Sequence, residues 1–185
     1  SSDDEYDFSV YENLKNVDIN ENNSNIGLPN MTIFSGSTGS GKTHLLFKCI
    51  LTPGFFDYDE LYILTSTVDS KQYKFLKYCF QYNIDKKVIL KLFNCLKGFE
   101  SHQIEDWIKS IIDENQIKPK DLKNYTKIVL SDQIGKFPTI SEMKTDKKKL
   151  IIGDDIINND QYNQLIETYF TRGRHNKCNC IYLSQ

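Results

Sequence analysis

The chain has 185 residues, of which 39% are hydrophobic, enough for one domain of ordinary size with a buried core. No apolar run approaches the length of a membrane span and no basic-then-apolar leader opens the sequence, so we expect a protein that neither spans a membrane nor is secreted. The net charge of −2 is uneven: residues 1–30 hold seven acidic residues and one lysine, a net −6, so the rest carries +4, which permits a polyanionic partner without requiring one.

Residues 1–25 are acidic and rich in Asn and Ser, which is typical of a loosely held arm rather than of a core. We therefore divide the chain into an N-terminal arm over 1–25 and a single domain over 26–185. Because the sequence lacks an initiator methionine and stops at Gln185, we expect the domain to be truncated at its C-terminus. The five cysteines are an odd number without a secretion signal, so free thiols in a reducing compartment are expected.

A glycine-rich stretch follows the first strong strand prediction, Met31–Ser35, and precedes a predicted helix over 44–51 that ends at 52–54. The stretch matches G-x-x-x-x-G-K-[ST] at every defined position. Its residues are Gly36, Ser37, Thr38, Gly39, Ser40, Gly41, Lys42 and Thr43. Strand, glycine loop and helix are the context of a phosphate-binding loop, whose backbone N–H groups surround a polyphosphate at the positive end of the helix dipole. These flanks argue against a chance match.

Two side chains of this loop have expected roles. Lys42 would reach the β- and γ-phosphates of a nucleoside triphosphate. The hydroxyl group of Thr43 would ligate Mg²⁺. The loop therefore predicts a site for a magnesium–nucleotide complex.

Hydrophobic periodicity and capping residues predict three strands and three helices between residues 60 and 143. The strands are 60–66, 88–93 and 127–132, and the helices are 70–82, 104–112 and the short 139–143. The inner side of the first helix is expected to carry Tyr73, Leu76, Cys79 and Phe80. Trp107 on the second helix is expected to pack rather than to stack on a base. Because strands alternate with helices, the predicted fold is α/β, with a mainly parallel sheet flanked by helices on both faces.

The apolar run that begins at Lys149 ends in two carboxylates, Asp154 and Asp155. A parallel strand of this kind places them at the carboxyl edge of the sheet, where the phosphate loop also lies. There Asp154 would hold Mg²⁺, directly or through water, and Asp155 would orient and polarise the attacking water. The alternative is a strand followed by an ordinary acidic turn. Gly153 departs from the pattern, since a bulkier apolar residue is expected beside the acid.

Two arginines, Arg172 and Arg174, follow a predicted helix. The buried stripe of this helix is expected to be Tyr162, Leu165, Ile166, Tyr169 and Phe170. Gly173 is a candidate left-handed C-cap, which would place both arginines on an exposed corner. There they are solvated charges, or one of them reaches the γ-phosphate of a neighbouring subunit, or they bind DNA phosphates, and the sequence does not separate these roles.

The last predicted strand, 179–185, ends in Gln185. At that edge its amide would hydrogen-bond both the γ-phosphate and the attacking water, whereas as a surface residue it would have no role. A metal site at His175, Cys178 and Cys180 is a weaker alternative, because a closed zinc site needs a fourth ligand and none is evident nearby.

Together these motifs resemble the poxvirus-type genome-packaging ATPases, which belong to the FtsK/HerA branch of P-loop motors and occur in large DNA viruses, virophages and Polinton/Maverick-like self-synthesising transposons. The likeness covers about residues 30–185. It is carried by the phosphate loop, by the Asp154–Asp155 pair with the preceding 137–142 segment, and by the run from Thr171 to Gln185. The most specific part is Arg-Gly-Arg-His followed by a strand that ends in Ser-Gln.

The resemblance implies an ASCE-type P-loop ATPase that uses ATP and Mg²⁺ to thread double-stranded DNA into a capsid, as a homo-oligomeric ring that contacts capsid proteins. Asp154 and Asp155 match the family's acidic pair and Gln185 its polar sensor. Arg172 or Arg174 matches the arginine finger. The resemblance implies a location in the host cytoplasm or the viral factory. Association with the virion is a further option that it allows.

Three alternatives stay open. A GTPase would use Asp132-Gln133-Ile134-Gly135 as D-x-x-G, although its base-reading motif at 176–179 lacks the terminal Asp. A small-molecule kinase shares the loop but would need an arginine-rich lid. A nucleotide-binding scaffold without turnover would keep the loop and have no use for the acidic pair and the sensor.

Overall fold

The computed structural model describes residues 18–21, 31–35, 41–114, 126–143, 145–154, 159–172 and 178–184, the first two segments by their backbone alone. The strands are β1 (Asp18–Glu21), β2 (Met31–Ser35), β3 (Glu60–Thr65), β4 (Lys127–Ser131), β5 (Lys149–Asp154) and β6 (Cys178–Ser184). They form one six-stranded sheet in the order β1-β2-β6-β5-β3-β4. From β2 to β4 neighbouring strands are parallel, and β1 alone is antiparallel to its neighbour. The prediction of a mainly parallel sheet is confirmed.

Helices cover both faces of this sheet. They are α1 (Lys42–Leu51), α2 (Lys71–Gln81), α3 (Lys86–Phe93), α4 (Ile104–Asp113), α5 (Ile140–Met143) and α6 (Asn159–Arg172). Side chains from α1 to α4 form one buried cluster with Leu61 and Ile63 of β3, and side chains from α5 and α6 form a second cluster with Tyr62 and Leu64. Since successive side chains of a strand point to opposite faces, the two clusters lie on the two sides of the sheet.

The predicted helices at 70–82 and 104–112 are confirmed as α2 and α4. The hydroxyl of Ser70 caps α2 by accepting from the backbone N–H of Tyr73 at 3.4 Å. Trp107 of α4 stacks on Phe99 and on Phe75, with ring centroids 4.1 Å and 6.0 Å apart. Trp107 is therefore a packing residue, as predicted.

The predicted strand at 88–93 is wrong, because these residues belong to helix α3. The carboxylate of Asp85 caps this helix by accepting from the backbone N–H of Lys87 at 2.8 Å. Ile89 and Phe93, four residues apart, are buried on one face, while Lys91 is exposed. A strand would have put Lys91 on the same side as Ile89 and Phe93. The helical period keeps the lysine in solvent.

Part of the predicted arm takes part in the sheet. Residues 18–21 form β1, which pairs with β2 from Asp18 opposite Ser35 to Glu21 opposite Thr32. The remainder of residues 1–25 lies outside the described part of the chain. Among the described helices, none has the length and apolar character needed to cross a membrane.

Candidate functional site

Three neighbouring strands end at the same edge of the sheet. Ser35 of β2 pairs with Ser184 of β6, and Asp154 of β5 pairs with Leu183 of β6. β6 thus lies between the strand that enters the glycine loop and the strand that ends in the acidic pair. With about 4.8 Å between adjacent strands, the ends of β2 and β5 lie about 10 Å apart.

Several predicted site residues lie outside the described residues. They are Gly36, Ser37, Thr38, Gly39, Ser40, Asp155, Arg174 and Gln185. The predicted C-cap Gly173 is also among those not described, and Arg172 is the last residue of α6, described by its backbone. In sequence, Asp155 and Gln185 directly follow Asp154 and Ser184, the last described residues of β5 and β6.

The glycine loop enters α1 through a left-handed residue. Gly41 is the N-cap with φ 90° and ψ 18°, and its carbonyl accepts from the backbone N–H of Leu45 at 2.9 Å. Glycine adopts this backbone conformation without the penalty that a Cβ atom brings. As an N-cap, glycine brings no side-chain oxygen to the helix start, where backbone N–H groups favour an anion. Lys42 and Thr43 occupy the first turn and are half-buried.

The imidazole of His44 comes next in α1 and packs beside Phe93, with ring centroids 4.9 Å apart. Burial, followed by the positive charge of Lys48 one turn further on, lowers the pKa of His44 below its ordinary value. The neutral imidazole is therefore favoured next to the start of α1 in the folded protein.

Asp154 is buried at the end of β5, with 8% of its surface exposed. The hydroxyl group of Tyr73, on α2, donates to Oδ2 of Asp154 at 2.5 Å. Such a bond offsets part of the cost of removing a carboxylate from water. The tyrosine ring packs edge-on against Phe47 of α1, with centroids 5.4 Å apart. Asp154 is thus joined by direct contacts to the helix that begins with Lys42 and Thr43.

Packing explains why the residue beside Asp154 is a glycine, Gly153. A Cβ atom built there would lie 2.7 Å from Cζ of Tyr162, far closer than atoms can pack. Tyr162 is itself fully buried on α6, and its hydroxyl donates to the carbonyl of Ile181 at 3.1 Å. The departure at Gly153 is therefore matched by an aromatic ring from the facing helix.

The predicted stripe of α6 is confirmed where it is described. Tyr162, Ile166 and Tyr169 are buried, and Leu165 packs against them while partly exposed. The hydroxyl of Tyr169 donates to the carbonyl of Pro138 at 2.7 Å, which joins α6 to the segment before α5. The side chain of Phe170 is not described.

The oxygen groups at this edge suit a hard cation. Mg²⁺ binds through one or two protein oxygens together with phosphates and water, and Thr43 and Asp154 supply a hydroxyl and a buried carboxylate. Within the described ranges there is no group of three His, Cys, Asp or Glu side chains arranged to hold a metal ion. The sulfur atoms of Cys178 and Cys180 lie 3.9 Å apart as alternate residues of β6, and His175 is not described.

Asp132, the acid of the alternative GTPase motif, lies at the same edge of the sheet but far from the glycine loop. It follows β4, the strand at the far side of the sheet, and is exposed. Three strands separate β4 from β2, which corresponds to about 19 Å between the two strands.

Sequence reasoning did not single out Tyr73 or Tyr162 as site residues. Tyr73 was expected on the inner side of α2 and is 1% exposed, but its partner Asp154 lies 81 residues away in sequence. For Tyr162, the glycine at 153 was a usable signal, because an unexpected glycine in a strand indicates close approach by another group.

Comparisons of the chain with protein-family models, with curated proteins and with solved structures found no match.

Proposed function

We propose that the protein is an ATP-hydrolysing DNA translocase that packages double-stranded DNA into a capsid. The observation that carries the ATPase part is the order of β2, β6 and β5, whose carboxyl ends meet at one edge. An additional strand between the strand of the phosphate loop and the strand of the acidic pair is the arrangement expected of an ASCE-type P-loop ATPase. In that arrangement the sensor Gln185, which follows Ser184 in sequence, would lie between the two.

The first half of the site would bind the nucleotide. Backbone N–H groups of residues 36–41 and of the first turn of α1 would surround the phosphates, and Lys42 would balance the charge of the β- and γ-phosphates. Thr43 and Asp154 would hold Mg²⁺, which when bound neutralises charge that develops on the phosphates. The left-handed Gly41 and the buried, hydrogen-bonded Asp154 support these assignments.

The second half would carry out hydrolysis. Asp155 would orient and polarise the attacking water, and Gln185 would hydrogen-bond that water and the γ-phosphate. An arginine finger, Arg172 or Arg174, would come from the adjacent subunit of a ring and complete the site. Asp155 and Gln185 directly follow, in sequence, strands that end at the carboxyl edge. Arg172 instead ends α6, which runs back from the end of β5 toward the start of the parallel strand β6, so an arginine finger would have to act on a different subunit. The side-chain roles of all four residues rest on the motif pattern.

The coupling to DNA rests on the family resemblance. Each cycle of hydrolysis would change the contact between subunits and displace DNA held through its phosphates, independently of sequence. The net +4 charge beyond residue 30 is compatible with such contacts. Capsid proteins would be the second partner.

The other candidates have less support. A GTPase using Asp132 would need this acid near the phosphate loop, whereas it follows the strand at the opposite side of the sheet. A small-molecule kinase or a scaffold without turnover shares the loop, but neither explains why the acidic pair and Gln185 continue from adjacent strands.

The experiment is an ATPase assay of the complete protein at low salt, with and without duplex DNA of two unrelated sequences, combined with a mass measurement of the assembly. We expect duplex DNA of either sequence to stimulate hydrolysis and the mass to be that of a multimer. If duplex DNA does not change the rate of ATP hydrolysis, the protein is an ATPase and the motor function is refuted. Turnover of GTP in preference to ATP would instead favour the GTPase.

A further inference from the structure

We propose that Tyr73 is a positioning residue for the magnesium site, which it serves by fixing the orientation of the Asp154 carboxylate. The inference rests on the proposed function, because it assigns Asp154 to Mg²⁺. The observation behind it is the 2.5 Å hydrogen bond from the Tyr73 hydroxyl to Oδ2 of Asp154, which joins two buried side chains. Carboxylates that bind metals are generally oriented by a hydrogen bond from a neighbouring group.

The bond is compatible with metal binding at the same carboxylate. A carboxylate has about four positions that accept hydrogen bonds or bind a cation, and the tyrosine occupies one of them. A hydroxyl group, unlike a lysine or arginine, occupies this position without adding a positive charge that would repel the metal ion.

The same tyrosine joins Asp154 to α1. Phe47 is fully buried one turn after Thr43, so the two residues lie on the same side of that helix. The ring of Phe47 meets the ring of Tyr73 edge-on at 5.4 Å. Thr43 and Asp154, the two groups assigned to Mg²⁺, are thereby connected through two buried aromatic side chains, which restricts how far the carboxylate can move relative to α1.

A purely structural role is the competing explanation, since a buried carboxylate requires hydrogen-bond donors whether or not it binds a metal. The two explanations differ in one measurable quantity. A structural bond affects the stability of the fold, whereas a positioning bond also changes the Mg²⁺ concentration needed for nucleotide binding.

The test uses Tyr73→Phe, which removes the hydroxyl group and keeps the ring against Phe47. Tyr169→Phe is the matched control, because Tyr169 is also 1% exposed and its hydroxyl donates to the Pro138 carbonyl on the other face of the sheet. Binding of ATP to the complete protein is measured at a series of Mg²⁺ concentrations and again in EDTA, at a temperature where all variants are folded by circular dichroism.

We expect Tyr73→Phe to raise the half-saturating Mg²⁺ concentration about tenfold, the lower end of what removal of such a hydrogen bond costs a metal site. ATP binding in EDTA should stay as in the wild type, because the phosphate loop is not altered. Tyr169→Phe should leave both quantities unchanged. An unchanged Mg²⁺ requirement in Tyr73→Phe, or an equal rise in Tyr169→Phe, would overturn the proposal.

A second measurement needs no nucleotide. Thermal unfolding in EDTA of Tyr73→Phe, Asp154→Asn and the double variant tests whether the two side chains interact, and we expect the two losses of stability to be non-additive. Additive losses would overturn the proposal at its first step. The losses of stability in the variants could be non-additive while the wild-type protein binds no ATP with or without Mg²⁺. That combination would refute the proposed function and the positioning role with it, but it would establish the contact itself.

Discussion

The ring of Tyr162 occupies the space that a side chain at Gly153 would need, with Cζ 2.7 Å from the position of a Cβ atom. The contact joins α6 to the strand residue next to Asp154. It also makes the glycine a requirement of the packing rather than a weakness of the acidic motif. Any side chain at 153 must displace the buried tyrosine or the strand end.

Gly153→Ala should therefore destabilise the protein by about 1–3 kcal/mol, the usual cost of overpacking a well-packed core. Gly98→Ala is the control, because a Cβ atom at Gly98 meets no atom within 4 Å. Urea unfolding of the two variants measures both costs. Equal stability of the two variants would contradict the close packing of Tyr162 on Gly153.

Gly41→Ala should weaken ATP binding and also cost about 1–2 kcal/mol of stability, because a residue with a Cβ atom is strained at φ 90°. Gly54 offers a matched control, since it also has a positive φ, 82°, with open space around it, and it follows the far end of α1. Gly54→Ala should lose similar stability and retain ATP binding. Urea unfolding measures the loss of stability in each variant, and calorimetric titration of the folded variants with ATP measures the loss of affinity. Equal ATP affinity in both variants would show that the start of α1 does not contribute to the nucleotide site.

The lowered pKa of His44 predicts a loss of stability in acid. Burial and the charge of Lys48 disfavour the protonated ring in the folded state, so the unfolded chain binds more protons. Stability is then fully present above the ordinary histidine pKa of 6.5 and falls as pH decreases below it. His44→Gln should reduce this dependence, and His102→Gln, at another exposed position that lies outside α1, serves as the control. The measurement is the free energy of unfolding of both variants from pH 5 to pH 8. If this free energy depends equally on pH in the two variants, the role of His44 is refuted.

Much of the fold could be predicted from local patterns. The strands around the phosphate loop and the acidic pair, the cap at Ser70 and the stripe of α6 follow from periodicity and from residues that act within a few positions. The error at 88–93 has a local cause as well. A short apolar run fits a strand and a helix equally, and the deciding residue, Asp85, lies before it.

The candidate site was less accessible to sequence reasoning, because its supporting contacts join distant parts of the chain. Tyr73 and Asp154 meet because α2 packs on the face of the sheet that α1 also covers. Tyr162 reaches Gly153 from the opposite face. Neither pairing leaves a spacing that a single sequence reveals, although the glycine at 153 was a local indication of one of them. Motifs thus identify the groups with chemical roles, and the structure identifies the side chains that hold one of these groups in place.

The most direct test of the central claim, that one edge of this sheet forms an ATP-hydrolysing site, compares ATP binding and turnover in Asp155→Asn. The amide cannot polarise the attacking water as a carboxylate does, so we expect ATP hydrolysis to fall by about 100-fold or more while ATP affinity stays at the wild-type level. Wild-type turnover in this variant, or loss of ATP binding, would contradict the account, because Asp155 would then be either uninvolved in hydrolysis or a structural residue.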